Sequence, residues 1–125
     1  MTVSGRALVL TDGLSLWGGM DPATGEVIDA HHPQRGANVR GRVLVMPSGR
    51  GSSSSASVLA EAVRAGTAPT AIVLREPDLI LSIGAAVAEE LYGGRVPVIV
   101  APSDGPRIGD GDLVTIGPDG AISVE

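Results

Sequence analysis

At 125 residues the chain is long enough to bury one hydrophobic core and too short for two ordinary domains, so residues 1–125 are expected to form a single domain. All nine basic residues are Arg and the formal net charge is -5, which gives the long-range field the wrong sign for a phosphate backbone and argues against a nucleic-acid partner. The absence of Cys excludes disulfides and thiolate metal ligands within the chain, and no apolar run approaches the roughly 20 residues of a bilayer span, so no membrane partner and a cytoplasmic location are expected.

With no Phe, one Trp and one Tyr, the core must be filled by Val, Ile, Leu and Ala, and the many β-branched residues favour sheet. In chain order, the first predicted strand is Arg6–Leu10. It is followed by a Gly- and Pro-containing loop, Trp17-Gly18-Gly19-Met20-Asp21-Pro22-Ala23-Thr24-Gly25, which holds the single Trp. An aromatic in a loop suits a binding surface, but general burial tendencies favour Trp17 as a cover for one end of the core. A short strand is predicted at Glu26–Ile28. His31 and His32 precede Pro33, in extended or turn backbone that points them different ways. A surface loop is the preferred reading there, because a zinc or iron site would need further ligands.

Strands at Arg42–Met46, Ala71–Leu74 and Val96–Ala101 contain continuous apolar runs, as expected of parallel strands covered on both faces. Between them lie two helical patterns, Ser55–Ala65 and Ser82–Tyr92. The first carries Glu61 and Arg64 as an i,i+3 pair and is stopped by Gly66; the second is stopped by Gly93-Gly94. Strand, helix, strand, helix, strand with right-handed crossovers makes a parallel α/β core. The end of the chain differs. Leu113–Ile116, the turn Gly117-Pro118-Asp119-Gly120 and Ala121–Val124 read as an antiparallel hairpin that closes a second, smaller sheet.

The segment with most chemical potential is Pro47-Ser48-Gly49-Arg50-Gly51-Ser52-Ser53-Ser54-Ser55, placed between a buried strand and a helix. Glycines allow a tight turn with exposed N–H groups, the helix directs its positive end at the loop, and a Ser can cap it. Such a turn can hold a carboxylate or phosphate; a Gly/Ser-rich surface loop ending in an ordinary Ser cap competes evenly with that reading. No Lys is present, so the segment is not a nucleotide-binding P-loop. Arg75-Glu76-Pro77-Asp78 follows a buried strand at the edge where parallel sheets place ligands. Arg75 could hold a substrate carboxylate there, or Asp78 could cap a turn or pair with Arg75.

Taken in order, Ser15-Leu16-Trp17-Gly18-Gly19-Met20-Asp21-Pro22-x-Thr24-Gly25, His31-His32-Pro33, Pro47-Ser48-Gly49-Arg50-Gly51-Ser52-Ser53-Ser54, Gly66-Thr67-Ala68-Pro69 and Arg75-Glu76-Pro77-Asp78 resemble the small subunit of aconitase X, over almost the whole chain. The resemblance implies a swivelling β/β/α domain, with a mostly parallel central sheet flanked by helices and a small second β layer that includes the hairpin. It also implies a hydro-lyase that is inactive without a large catalytic subunit, on which an iron–sulfur cluster or iron resides, no metal being bound by this chain. The swivel domains of the wider aconitase and isopropylmalate isomerase group carry a similar Gly-x-Gly-Ser-Ser turn whose first Ser is the catalytic base. Gly49-Arg50-Gly51-Ser52-Ser53 matches that turn, so Ser52 inherits the role by resemblance. Those domains continue with Arg-Glu where this chain has Ser54-Ser55, which leaves Arg50 to take the arginine's part.

The implied substrate pocket is shaped by Ser48, Gly49, Arg50, Gly51, Ser53 and Ser54, with Gly18, Gly19, Asp21 and Arg75 as secondary candidates. Bacterial members resembling this chain dehydrate cis-3-hydroxy-L-proline to Δ1-pyrroline-2-carboxylate; archaeal members dehydrate mevalonate 5-phosphate, and their loops tend to read Pro-Arg-Gly-Lys-Gly-Ser. Here the loop reads Pro47-Ser48-Gly49-Arg50-Gly51-Ser52, one positive charge fewer, which points to hydroxyproline over the phosphate ester. A non-catalytic lid or docking module for the large subunit is the alternative of another class.

Overall fold

The computed structural model describes residues 2–49, 53–101 and 107–125. Its elements are β1 (Val3–Val9), a single irregular turn α1 (Leu16–Gly19), β2 (Val43–Met46), α2 (Ser55–Ala65), β3 (Ala71–Leu74), α3 (Leu79–Tyr92), β4 (Val98–Val100), β5 (Leu113–Ile116) and β6 (Ile122–Val124). The strands form one six-stranded sheet in the order β4-β3-β2-β1-β5-β6. β1 through β4 pair in parallel, whereas β5 pairs antiparallel with β1 and with β6. The C-terminal hairpin is therefore continuous with the parallel sheet through β1. Residues Ala7–Val9 pair with β2, and Val3–Arg6 pair with β5.

Side-chain size sorts the two faces. Leu8, Leu10, Leu44, Met46, Ile72 and Leu74 point to the helix side, where they pack with Leu59, Ala62 and Leu81. Ala7, Val43, Val45, Ala71 and Val73 point the other way, against Ala101, Ile108, Val114 and Ile116. Successive strand residues alternate faces, so long side chains meet the helices and short ones admit the curled β5–β6 layer. Each fully buried Leu, Ile or Met here contributes about 1.5–3 kcal/mol relative to exposure.

β2 and β3 are buried along their whole length, as their continuous apolar runs predict. β4 is half-buried, with Val100 exposed, because it lies at the sheet edge and lacks a neighbour on one side. α2 has the predicted bounds and ends on Gly66 in the left-handed conformation. α3 begins three residues before the predicted Ser82, at Leu79, because Asp78 caps it by accepting a hydrogen bond from Leu81 N. The predicted strand Glu26–Ile28 is not formed; the segment makes only isolated bridges, Met20 to Val27 and Glu26 to Asn38. Tight turns on both sides, one closed by Thr24 N and Gly25 N on Asp21 O and the other by Ala37 N on Gln34 O, leave no length for a ladder.

Candidate functional site

The carboxyl ends of β1 to β4 converge on one edge, and the loops that leave them are held there by specific bonds. Pro47, Ser48 and Gly49 follow β2, and Ser53 and Ser54 precede α2. Pro47 O accepts from Arg75 N at 3.2 Å, tying this loop to the end of β3. Gly49 lies against the start of α3. A Cβ on it would stand 2.5 Å from Asp78 Oδ2 and 2.9 Å from Leu81 Cδ1. A larger residue here would push the Asp78 and Leu81 side chains aside, and Asp78 has two tasks, capping α3 and bounding the loop. Arg75 donates from Nη1 to Ala101 O at 3.1 Å, across to the end of β4.

The Trp17 loop meets the same edge. Ser55, the first residue of α2 and buried, accepts a hydrogen bond from Trp17 N at 3.2 Å, and its hydroxyl lies 3.4 Å from that of Ser15. Trp17 as a whole is 59% exposed. Trp17 therefore does not cover the core, contrary to the burial tendency of its residue type, because its backbone is pinned to α2 while Leu14 and Leu16 fill the interior beside it. Ser54 occupies the N-cap position but has helical backbone angles and makes no capping side-chain bond, so the expected Ser cap is absent. Ser53 and Ser54 are exposed and Ser48 and Gly49 half-buried. These hydroxyls and N–H groups stand at the positive end of an eleven-residue helix, an arrangement suited to a carboxylate. The proposed base Ser52, with Arg50 and Gly51, lies outside the described residues.

Gly18 and Gly19 follow Trp17 in the chain, and Gly19 O accepts from Ile28 N at 2.8 Å. Asp21 does not join them. Thr67, just past the C-terminus of α2, donates from Oγ1 to Pro22 O at 2.6 Å, so the residue after Asp21 is held at the opposite end of α2 from Ser54, about 16 Å away by helix length. Asp21 instead accepts from Ala23 N at 2.9 Å within its own turn.

The two histidines separate. His31 is exposed, whereas His32 is buried, so the surface-loop expectation fails for His32. Its Nδ1 accepts from Gln34 N at 3.0 Å and its Nε2 lies 3.1 Å from Asp12 O. With Nδ1 accepting, Nε2 is the ring nitrogen left to donate to Asp12 O. Gln34 in turn donates from Nε2 to Val9 O and accepts from Thr11 N, at 2.6 and 2.8 Å, as a neighbouring strand would. His32 and Gln34 together latch the carboxyl end of β1. The role of Gln34 had no sequence signal, since it depends on a strand end 25 residues away. His32→Phe is expected to leave Gln34 N and Asp12 O without that partner and to lower stability by about 1–3 kcal/mol. His31→Phe should stay within about 0.5 kcal/mol. Urea unfolding of the two variants measures the contrast.

No group of three or more His, Cys, Asp or Glu suited to a metal occurs among the described residues. The chain also lacks cysteine throughout. Its donor set therefore does not fit an iron–sulfur cluster.

A curled β/β/α domain that offers a serine- and glycine-rich loop between a buried parallel strand and a helix is the class defined by this fold and edge. The model of the aconitase X swivel domain matches residues 1–124, and the chain belongs to that family. It is 54% identical over 97 residues to a cis-3-hydroxy-L-proline dehydratase of Pseudomonas aeruginosa, a match that covers 78% of this chain and 17% of the relative. It is 40% identical over 124 residues to a phosphomevalonate dehydratase small subunit of Methanopyrus kandleri, covering 98% of this chain and 87% of the relative. The crystal structure of Thermococcus kodakaraensis aconitase X in its holo-form superposes with a TM-score of 0.87 at 28% identity, over 100% of this chain and 91% of that one. The chain thus spans about one-sixth of the length of the hydroxyproline dehydratase relative, consistent with the 17% coverage.

Proposed function

We propose that this chain is the swivelling subunit of an aconitase X-type hydro-lyase that dehydrates cis-3-hydroxy-L-proline to Δ1-pyrroline-2-carboxylate together with a large subunit. The observation that carries this reading is the 54% identity to the P. aeruginosa dehydratase. Ser48 at the position where archaeal loops tend to carry Arg supports it. In the reaction the proton on Cα and the hydroxyl on the neighbouring carbon leave as water, and the resulting enamine tautomerises to the cyclic imine. Ser52 is the proposed base for the Cα proton, and Arg50 the proposed partner of the substrate carboxylate. Ser48, Gly49, Gly51, Ser53 and Ser54 shape the pocket, with Gly18, Gly19 and Arg75 bordering it. The iron–sulfur cluster or iron implied by the family is assigned to the large subunit, since this chain offers no thiolate.

The second reading, dehydration of mevalonate 5-phosphate, is favoured by a different observation: the M. kandleri small subunit matches over 98% of this chain and 87% of its own length. Supplying the co-expressed complex with each substrate separates the two. Turnover of cis-3-hydroxy-L-proline at least about 100-fold above that of mevalonate 5-phosphate, a discrimination of about 2.7 kcal/mol, is expected. The reverse preference would overturn the assignment.

A further inference from the structure

α3 leaves one row of large apolar side chains in water. Leu79, Ile83, Val87 and Leu91 are 74%, 47%, 41% and 63% exposed, spaced four residues apart, and Tyr92 at the end is 46% exposed. Residues four apart share a helix face, and that face of a solvated helix is ordinarily polar. A groove of about 330 Å³ runs alongside, lined by Ala56, Ser57, Ala60 and the charged Glu61 of α2 and by Val87, Leu91 and Tyr92 of α3. We propose that this row and groove dock the large subunit of the dehydratase, an inference that rests on the function proposed above.

Three observations select that occupant. First, the match to this chain covers 17% of the P. aeruginosa dehydratase, and the M. kandleri relative is a small subunit, so these relatives work with a larger body beside the matched part. Second, the row starts at the loop edge. Gly84 of α3 meets Ala56 of α2, which leaves the first turn of α3 projecting about 6 Å beyond the start of α2. Leu79 there adjoins Asp78, which touches Gly49. A body that closes over the serine loop reaches Leu79 without a gap.

Third, the row is about 18 Å long on one helix face, and a stable interface takes roughly 800 Å² from each partner. A partner resting on the row alone would be marginal; one that also covers the loop edge and exposed Trp17 has the area. α3 contains Glu89 and Glu90 and no basic residue, so it lacks the cationic rim by which an amphipathic helix binds anionic lipid.

The test uses the co-expressed small and large subunits with Leu79→Gln and Leu91→Gln, singly and together, and Ser123→Gln on β6, at the sheet edge opposite β4, as an exposed control away from the row. The double variant is expected to weaken assembly at least tenfold and each single variant several-fold, with the control within twofold and urea midpoints unchanged. Assembly undiminished by Leu79→Gln and Leu91→Gln would overturn the docking surface while leaving the proposed function intact. So would a self-associated small subunit that Leu91→Gln dissociates with no effect on the heteromer, since a second copy would then be the occupant. No complex between the unmodified subunits would overturn the docking surface and the proposed function together.

Discussion

Ser52→Ala in the assembled enzyme is expected to lower turnover about 10²–10⁴-fold, the range that a positioned general base contributes. The substitution removes one oxygen and keeps a small residue, so subunit assembly and the affinity for substrate should change little. A serine hydroxyl is a weak base at rest. It becomes effective only where its conjugate alkoxide is stabilised, by backbone N–H groups, by a guanidinium such as that of Arg50, and by the positive end of the helix that follows. α2 supplies such a helix end, its eleven residues running from Ser55 to Ala65. The measurement is steady-state dehydration by the co-expressed complex beside a binding titration of the two subunits. Turnover near that of the unmodified complex would remove Ser52 as base. Lost assembly with unchanged turnover per complex would favour the non-catalytic docking role.

The second large effect concerns stability. Gly84→Ala should destabilise the chain by up to about 2 kcal/mol, although helix propensity alone predicts a gain of about 1 kcal/mol for the same change. The Cβ it adds would stand 2.8 Å from Ala56 Cα and 2.9 Å from Ala56 O, both backbone atoms. Neither can rotate away, so α2 and α3 must part, and overpacking of this kind costs about 1–3 kcal/mol. Gly84→Leu should cost more than about 3 kcal/mol for the same reason. A urea midpoint above that of the unmodified chain for Gly84→Ala would show that the helices are not in close contact. Because Asp78 and Leu81 at the start of α3 lie against Gly49, parting the helices also shifts α3 away from the serine loop. Dehydration should therefore fall in Gly84→Ala even at temperatures where the complex remains folded.

Much of this architecture is legible locally. The runs Val43–Met46 and Ala71–Leu74 are strands buried on both faces because their neighbours in the sheet and the layers above and below are themselves apolar. Gly66 and Gly93 stop α2 and α3 because each stop needs a left-handed residue, a requirement met within a few bonds of the helix end. Other features depend on residues far apart in the chain. Glu26–Ile28 has strand composition but finds only single bridging partners. Trp17 has the composition of a core residue but is held outward by Ser55, 38 positions later. Asp21 shares a motif with Gly18 and Gly19, yet Thr67 draws its neighbour Pro22 to the far end of α2.

The sequence by itself determined the alternation of buried strands and helices, the terminal hairpin and the serine-rich loop between a strand and a helix, since hydrophobic period and turn chemistry act over a few residues. Only the tertiary structure decided that Asp78 abuts Gly49, that His32 and Gln34 latch β1, and that one face of α3 is left apolar in water. Those outcomes follow from side-chain contacts across tens of residues, where the energy depends on which surfaces meet and no local pattern records the partner.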